Sequence, residues 1–291
     1  MAALHRISLS KLIFRRRYEI CIMHVRSAAG RHLAASMLRR RWPRSFFSSY
    51  SARQPILLSI EGNVGAGKST LIGELKRRHT EWTFISEPVD IWSAIKDDEG
   101  KSLLSVYYDD PKRWSYSFQS CALLSRFENI ERGVASLHEN CSAATDLKSE
   151  STLRHVVVTE RCLDTDYYVF AKMLHDRGLM DKLEFDIYQR LYLHLQTSMK
   201  VSLSAIVYVD TSPEQCLENV KKRNRTGESD ITLDYLKSVD KYQSEWMNNL
   251  SDISILKTDY LNSRNYISEI DAFVNRQLVS SRDQKFYNVC L

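Results

Sequence analysis

Residues 56–79 read ILLSIEGNVGAGKSTLIGELKRRH. The first seven residues are mostly apolar and predict a buried strand, and residues 68–79 have the apolar spacing of a helix. Between the two, residues 62–69 fit the pattern G-x-x-x-x-G-K-[ST] without a mismatch. A strand, a glycine-rich turn and a helix in this order bind phosphate, because backbone N–H groups and the helix N-terminus point at the phosphate oxygens. The stretch therefore predicts a site for a nucleoside triphosphate.

We call residues 62–69 the phosphate loop. Its Lys68 is expected to reach the β- and γ-phosphates of ATP, and the hydroxyl of Ser69 is expected to bind Mg²⁺. The loop and the residue after it are all candidate ATP contacts: Gly62, Asn63, Val64, Gly65, Ala66, Gly67, Lys68, Ser69 and Thr70.

The rest of the chain alternates between short strands and helices. Further strands are predicted at residues 82–86, 155–160, 203–210 and 253–259. Helices are predicted at residues 111–138, 164–176 and 181–199, from 211–213 onward, and up to about residue 279, with a solvated loop at 139–153. This alternation predicts an α/β fold of the P-loop kinase type, a five-stranded parallel sheet with helices on both faces. The domain is expected to span residues 55–280, followed by a tail at 281–291.

The charge of the chain is unevenly distributed. Residues 1–53 hold twelve of the 41 Lys and Arg and one of the 36 acidic residues, so the remainder has a formal charge of −6. This gives no reason to expect a body that binds nucleic acid, and no apolar run reaches the roughly 18 residues of a membrane span. The basic, Ser-rich arm at residues 1–54 is typical of a mitochondrial transit peptide, with a basic tail or a misplaced start codon as alternatives. The mitochondrial matrix is the expected location, and the cytosol is the alternative.

Further motifs narrow the class of enzyme. The chain has no Asn-Lys-x-Asp motif, with which GTPases recognise guanine. It has, in order, Glu87-Pro88-Val89-x-x-Trp92, Tyr108-x-x-Pro111-x-x-Trp114, Phe118-Gln119, Glu160-Arg161 and Arg223-x-Arg225-x-x-Glu228. In these motifs, and over residues 56–280, the chain resembles the deoxynucleoside kinases. The resemblance implies ATP-dependent phosphorylation of the 5′-hydroxyl of a deoxynucleoside in nucleotide salvage.

The same resemblance assigns the residues of phosphoryl transfer. Glu87 would be the general base for the 5′-hydroxyl, where the alternative is an acid that caps a helix. Arg161 would contact the 5′-oxygen and the moving phosphoryl group, acting with Lys68. Ser69 and Glu160 would hold Mg²⁺, partly through water. Arg223 and Arg225 would belong to a lid at about residues 223–230 that closes over the donor phosphates, although a run of charges is usually a solvated surface.

The resemblance also implies a nucleoside pocket. Tyr108 and Glu228 would recognise the 3′-hydroxyl, and Gln119 would pair with the edge of the base. Trp92 and Phe170 would flank the base, although such aromatic residues are more often simply core.

Three positions concern the identity of the base. Ala122, Arg126 and Asp166 match the set typical of deoxycytidine and deoxyguanosine kinases. They predict activity on deoxyguanosine, deoxyadenosine or deoxycytidine, with thymidine a poor substrate. Deoxyguanosine is the first expectation, because the arm indicates the mitochondrion. The chain departs from the family pattern where Cys162 replaces a Ser, Tyr167 an Arg and Gly227 an acid.

Two other functions remain open from the residues. One is a non-catalytic, kinase-like subunit of a mitochondrial complex, which loss of Lys68, Glu87 or Arg161 would favour; all three are present. The other is a monophosphate kinase of thymidylate type, which would need cations for the acceptor phosphate. A homodimer packed through the long helices is implied by the resemblance.

Overall fold

The computed structural model describes residues 55–143, 155–225, 228, 230–259 and 265–283. Its strands are β1 (Ile56–Gly62), β2 (Thr83–Ile85), β3 (Val156–Glu160), β4 (Leu203–Val209) and β5 (Ser254–Thr258). They form one sheet in the order β2-β3-β1-β4-β5, and every neighbouring pair is parallel. The predicted five-stranded parallel sheet of an α/β P-loop kinase fold is confirmed.

Helices connect the strands and cover the sheet. They are α1 (Lys68–Arg78), α2 (Val89–Ala94), α3 (Leu103–Asp109), α4 (Pro111–Ala143), α5 (Leu163–Thr165), a π-helix (Asp166–Ala171), α6 (Lys172–Asp176), α7 (Lys182–Ser198), α8 (Pro213–Arg223), α9 (Leu233–Asn248) and α10 (Tyr266–Asp283).

Both faces of the sheet are buried. In β1, Leu58 and Ile60 pack into a cluster with apolar residues of α1, α8 and α10. Leu57, which directly precedes Leu58, packs on the opposite face with Ile130 and Val134 of α4. Because side chains alternate along a strand, a sheet covered on both sides needs apolar residues at successive positions, which explains the continuous apolar run at the start of β1.

The strand order places the predicted site residues at one edge. β1 lies between β3 and β4, and the phosphate loop follows its carboxyl end. Glu87 follows β2, and Arg161 directly follows β3. Since the carboxyl ends of parallel strands meet at the same edge, these segments converge beside the phosphate loop.

The structure differs from the predicted elements in several places. α4 continues to Ala143 rather than ending at residue 138, because residues 139–143 contain neither Gly nor Pro to stop it. The rest of the predicted loop, residues 144–153, lies outside the described residues. The predicted helix at 164–176 begins at Leu163, and its middle third is the π-helix. Helices α2, α3 and α9 were not predicted; α2 and α3 are too short for periodicity to show.

Some predictions concern residues beyond the described part. The arm at residues 1–54 and part of the lid, residues 226, 227 and 229, lie outside it. α10 ends at Asp283, three residues past the predicted domain boundary at residue 280. The remaining residues of the predicted tail, 284–291, lie outside the described residues. Among the described residues, no helix combines the length and apolar character that crossing a membrane requires.

Candidate active site

A cleft of about 600 Å³, including its part open to solvent, lies at the carboxyl edge of the sheet. Sixteen of the predicted site residues line it: Val64, Gly65, Lys68, Glu87, Trp92, Tyr108, Gln119, Ala122, Arg126, Glu160, Arg161, Asp166, Phe170, Arg223, Arg225 and Glu228. The other six predicted residues belong to the phosphate loop or the start of α1 and do not line the cleft: Gly62, Asn63, Ala66, Gly67, Ser69 and Thr70. Residues as far apart in sequence as Val64 and Glu228 thus share one cavity.

The phosphate loop is held from outside by side chains of later elements. The Asn219 Nδ2 of α8 donates to the carbonyl oxygen of Gly65 at 2.9 Å, and the Thr211 hydroxyl donates to that of Ala66 at 3.1 Å. The Asn63 Nδ2 donates in turn to the carbonyl oxygen of Leu236 in α9 at 2.8 Å. These bonds occupy the outward carbonyl groups, so the loop keeps its curl and its N–H groups remain available to phosphate oxygens.

Lys68 is buried at the base of the loop. Its Nζ donates to the carbonyl oxygen of Asn63 at 2.9 Å and lies 3.8 Å from Glu160 Oε1. Burial, reinforced by the charge of Arg161, lowers the pKa of Lys68 to about 8, although nearby carboxylates oppose the shift. An anion placed in the loop would offset the burial, so the site favours a ligand that carries negative charge.

The guanidinium of Arg161 links Glu87 to the phosphate loop. Arg161 Nη1 donates to Glu87 Oε1 at 2.9 Å, and Nη2 of the same guanidinium donates to the carbonyl oxygen of Gly62 at 3.2 Å. Burial alone would raise the pKa of Glu87, but the charges of Arg161, Arg126 and Lys68 outweigh burial and lower the pKa to about 2. The carboxylate is therefore ionised at neutral pH and can accept a hydrogen bond from a substrate hydroxyl.

Arg161 adopts a left-handed backbone conformation, with φ of 64°. Its N–H donates to the carbonyl oxygen of Ile60 at 3.1 Å, and its guanidinium carbon lies 5.1 Å from the centroid of the Phe170 ring. A residue other than glycine is strained in this region, and such strain occurs most often where a side chain must be aimed. Here it directs the guanidinium back over the phosphate loop.

Arg126 and Asp166 form a buried pair. Arg126 Nε donates to Asp166 Oδ2 at 2.8 Å, and its other nitrogens donate to the backbone oxygen of Glu160 at 2.7 Å and to Glu87 Oε1 at 3.3 Å. Burial raises the pKa of Asp166, and the charge of Arg126 opposes that shift. The pair joins the predicted base-recognition residues to the predicted general base.

Ser69 and Glu160 meet beside Lys68. The Ser69 hydroxyl lies 3.0 Å from Oε2 and 3.2 Å from Oε1 of Glu160. Within the described residues, no group of three His, Cys, Asp or Glu side chains could hold a metal by itself. Mg²⁺ commonly takes one or two protein oxygens and completes its shell with phosphates and water, so this pair of side chains fits it.

The described lid residues bond to one another. Arg223 Nη2 donates to Glu228 Oε2 at 2.5 Å, and Arg225 Nη1 donates to Glu228 Oε1 at 3.2 Å. Glu228 is buried, whereas each arginine is about one third exposed. The carboxylate predicted to bind the 3′-hydroxyl thus contacts both arginines predicted to bind the donor phosphates.

The nucleoside side of the cleft is aromatic. Trp92 Nε1 donates to the Ser125 hydroxyl at 3.0 Å, so the indole polar group is satisfied within the wall. The Trp92 ring meets that of Phe118 edge to face, with centroids 5.3 Å apart. Gln119, the next residue of α4, is buried and lines the cleft. Four further lining residues were not among the predicted site residues: Leu104, Tyr107, Phe118 and Tyr235.

Glu61 is a further polar residue near the site that the prediction missed. It is fully buried in β1, where it accepts from the Ser59 hydroxyl at 2.6 Å and the Thr165 hydroxyl at 2.7 Å. Burial raises its pKa, and its Oε2 has no hydrogen-bond partner within the described residues. A charged residue in a strand that is mostly apolar is the signal that could have drawn attention to it.

Two of the departures from the family pattern lie away from the cleft. Tyr167 stacks on Tyr192, with centroids 4.4 Å apart, and its hydroxyl accepts from Gln189 Nε2 at 2.7 Å. Cys162 is a buried free thiol next to Thr165. Neither Tyr167 nor Cys162 lines the cleft; Gly227 is outside the described residues.

The fold and the cleft define an α/β P-loop phosphotransferase, with a phosphate loop at one end of the cleft and a carboxylate held over it. A sequence model of the deoxynucleoside kinase family matches residues 58–277. The chain therefore belongs to the deoxynucleoside kinase family and is a kinase.

Curated relatives agree with this assignment. The chain is 32% identical over 273 residues to deoxycytidine kinase 2 of Gallus gallus, covering 83% of this chain and 98% of that protein. It is 34% identical over 212 residues to the mitochondrial deoxyguanosine kinase of Xenopus laevis, covering 69% and 76%. It is 31% identical over 217 residues to deoxycytidine kinase of Homo sapiens, covering 70% and 79%.

Proposed function

We propose that this kinase transfers the γ-phosphoryl group of ATP to the 5′-hydroxyl of a deoxynucleoside. The observation that carries the proposal is the shared guanidinium of Arg161, which bonds at once to the Glu87 carboxylate and to the first glycine of the phosphate loop. A hydroxyl held by Glu87 would stand next to the phosphoryl group held by the loop. Phosphoryl transfer depends mainly on such positioning and on neutralising charge.

Glu87 receives the hydroxyl proton in this mechanism. Its pKa of about 2 makes it a weak base in the free enzyme. In a loose transition state the hydroxyl becomes acidic only as its oxygen bonds to phosphorus, so a weak, well-placed carboxylate suffices. Arg161 and Lys68 would neutralise the charge on the moving phosphoryl group. Mg²⁺ bound near Ser69 and Glu160 would supply further positive charge on the donor phosphates.

The base preference is proposed from the polar groups deep in the cleft. Arg126 and Asp166 form a buried ion pair in the wall of the cleft that Ala122 also lines, and we propose that the edge of the base meets this wall. These groups favour bases with donors and acceptors at that edge and disfavour a 5-methyl group. We therefore propose deoxyguanosine, deoxyadenosine or deoxycytidine as substrates, deoxyguanosine first, with thymidine poor and nucleotide salvage as the setting.

One coupled assay tests this function. ADP formation is measured with ATP, Mg²⁺ and each of the four deoxynucleosides, and again with deoxynucleoside monophosphates as acceptors. We expect ADP formation that depends on the deoxynucleoside, with the lowest kcat/KM for thymidine. Thymidine as the best substrate would refute the base preference. Activity on monophosphates alone, or none at all, would refute the proposed function.

Two further features belong to the proposal. Exposed apolar side chains occur on two helices that pack together, Leu124 of α4 and Leu183 and Ile187 of α7, and we propose that this face joins two copies of the chain. Replacing Leu183 and Ile187 by Lys should then convert a dimer to a monomer in sedimentation velocity.

We also propose mitochondrial import through residues 1–54, with the cytosol as alternative. A relative, the Xenopus laevis enzyme, carries "mitochondrial" in its name. Fusion of residues 1–55 to a fluorescent reporter tests this, and a diffuse cytosolic signal would refute import.

A further inference from the structure

A short segment, residues 161–165, joins the end of β3 to the π-helix. It begins with Arg161, whose guanidinium bonds to Glu87 and to the phosphate loop. It is followed directly by Asp166, the buried partner of Arg126. Both ends of the segment therefore lead into residues that line the cleft, and the position of the segment determines where the guanidinium of Arg161 lies.

The segment is anchored to β1 at two points. Near its start, the Arg161 N–H donates to the carbonyl oxygen of Ile60 at 3.1 Å. At its end, the hydroxyl of Thr165 donates to Oε1 of Glu61 at 2.7 Å. Thr165 and Glu61 are both fully buried, so bulk water does not reach this bond. Because Gly62 follows Glu61, the same part of β1 holds the segment and begins the phosphate loop.

The carboxyl group of Glu61 is itself held in place. The hydroxyl of Ser59, two residues earlier on the same side of β1, donates to the same Oε1 at 2.6 Å. The Thr165 hydroxyl also lies 3.5 Å from the N–H of Cys162, the residue after Arg161. Contacts therefore run from β1 through Glu61 and Thr165 to the backbone beside Arg161.

The backbone of Arg161 requires such anchors. Its φ of 64° lies in the left-handed region, where a residue with a Cβ atom is strained. A strained residue keeps its conformation only where its surroundings hold it, and the bonds to β1 do so here. If one of these anchors is lost, the backbone can relax and turn the guanidinium away from the phosphate loop.

We infer that Glu61 is a positioning residue, whose carboxyl group holds Thr165 and thereby keeps Arg161 directed at the phosphate loop. This role rests on the proposed function, and Glu61 itself does not line the cleft. Because Glu61 acts through Arg161, its loss should lower the rate of phosphoryl transfer much more than the affinity for ATP. The phosphate loop keeps its own bonds to α8 and α9 when the anchor is lost.

Thr165→Val tests the role, because valine keeps the branched shape of threonine and removes only the hydroxyl. We expect kcat to fall at least about tenfold, since a misplacement of about 1 Å can cost about a hundredfold in rate. The KM for ATP should stay within about twofold, which separates transition-state positioning from binding. Thr165→Ser restores the hydroxyl and should bring kcat back to within about threefold of the wild type.

Thr258→Val is the matched control. It makes the same chemical change at a buried threonine of β5 whose hydroxyl has no hydrogen-bond partner within the described residues. Its kcat should stay within about twofold of the wild type. All four enzymes are assayed below their melting temperatures, so that kcat refers to folded protein.

A double-mutant cycle tests the carboxyl group directly. Glu61→Met has a side chain of similar length without the acceptor oxygens. If Glu61 and Thr165 act through their mutual bond, the double variant should have a kcat within about twofold of the slower single variant. Losses that multiply in the double variant would overturn the role. If Glu61→Met does not fold, the comparison of Thr165→Val with Thr165→Ser decides the role alone.

The outcomes also separate this role from the proposed function. Suppose that the wild type phosphorylates deoxynucleosides. A Thr165→Val enzyme that melts earlier but keeps kcat within about threefold, or a Thr165→Ser enzyme as slow as Thr165→Val, would then overturn the role of Glu61 alone. A wild-type enzyme inactive on every deoxynucleoside would overturn the proposed function and this role with it.

Discussion

Replacing Glu87 by glutamine removes one negative charge and the proposed general base while keeping the shape of the side chain. The new amide oxygen could still accept from Arg161, and the contact of Arg161 with the Gly62 carbonyl does not involve the substituted side chain. The phosphate loop and Lys68 should therefore stay in place. The substitution isolates the loss of the carboxylate.

The expected loss of rate follows from the role of the carboxylate. General base catalysis contributes about 10²–10⁴-fold, so kcat should fall by that factor. The KM for ATP should change less than about threefold, because none of the loop contacts is lost. A large fall in kcat with little change in KM indicates a group that acts mainly in the transition state.

The substitution should also lower stability in a pH-dependent way. The pKa of Glu87 is lowered from 4.5 to about 2 in the folded protein. At about 1.4 kcal/mol per unit, the ionised carboxylate contributes about 3 kcal/mol. A lowered folded-state pKa means that this contribution is fully present above pH 4.5 and is lost as the pH falls toward 2. The variant should melt several degrees below the wild type at pH 7, and the difference should shrink as the pH falls below about 4.5.

Steady-state kinetics at saturating ATP and thermal melts at pH 7 and pH 3.5 measure both effects. Asp90→Asn is the matched control, because it makes the same chemical change at an exposed position three residues away. A Glu87→Gln enzyme with kcat within about tenfold of the wild type would refute Glu87 as the base. Equal melting temperatures at pH 7 would refute the electrostatic account of its pKa.

Other substitutions test the phosphate loop, helix α1 and the proposed Mg²⁺ site. Because the pKa of Lys68 is about 8, the side chain is charged below that pH and neutral above it. The kcat/KM for ATP should therefore fall as the pH rises above 8. Arginine stays charged over this range, so Lys68→Arg should remove the fall. Gly65→Ala should raise the KM for ATP and lower the melting temperature, because the added Cβ would lie 2.5 Å from a backbone oxygen of α8 at a φ of +80°. Gly73→Ala in α1 meets nothing within 4 Å and should be neutral or stabilise by up to about 1 kcal/mol. Glu160→Gln should raise the Mg²⁺ concentration needed for half-maximal rate severalfold, as an activity titration with Mg²⁺ would show.

Local patterns in the chain were enough for much of the architecture. The phosphate loop between β1 and α1, the five strands and the parallel sheet could all be predicted, because each depends on neighbouring residues or on simple alternation. Short helices and the ends of helices were predicted less well. The apolar periodicity of α2 and α3 covers too few residues to recognise, and α4 continues past residue 138 because nothing stops it.

Tertiary packing determines which pairs of side chains come close enough to interact. The bond between Arg126 and Asp166 spans 40 positions and exists because α4 and the π-helix pack beside the same strand ends. The stack of Tyr107 on Phe118 likewise depends on how α3 meets α4. A linear sequence identifies which side chains carry charge or polar groups, but burial and distance determine which of them interact, and these quantities are set only when distant segments pack together.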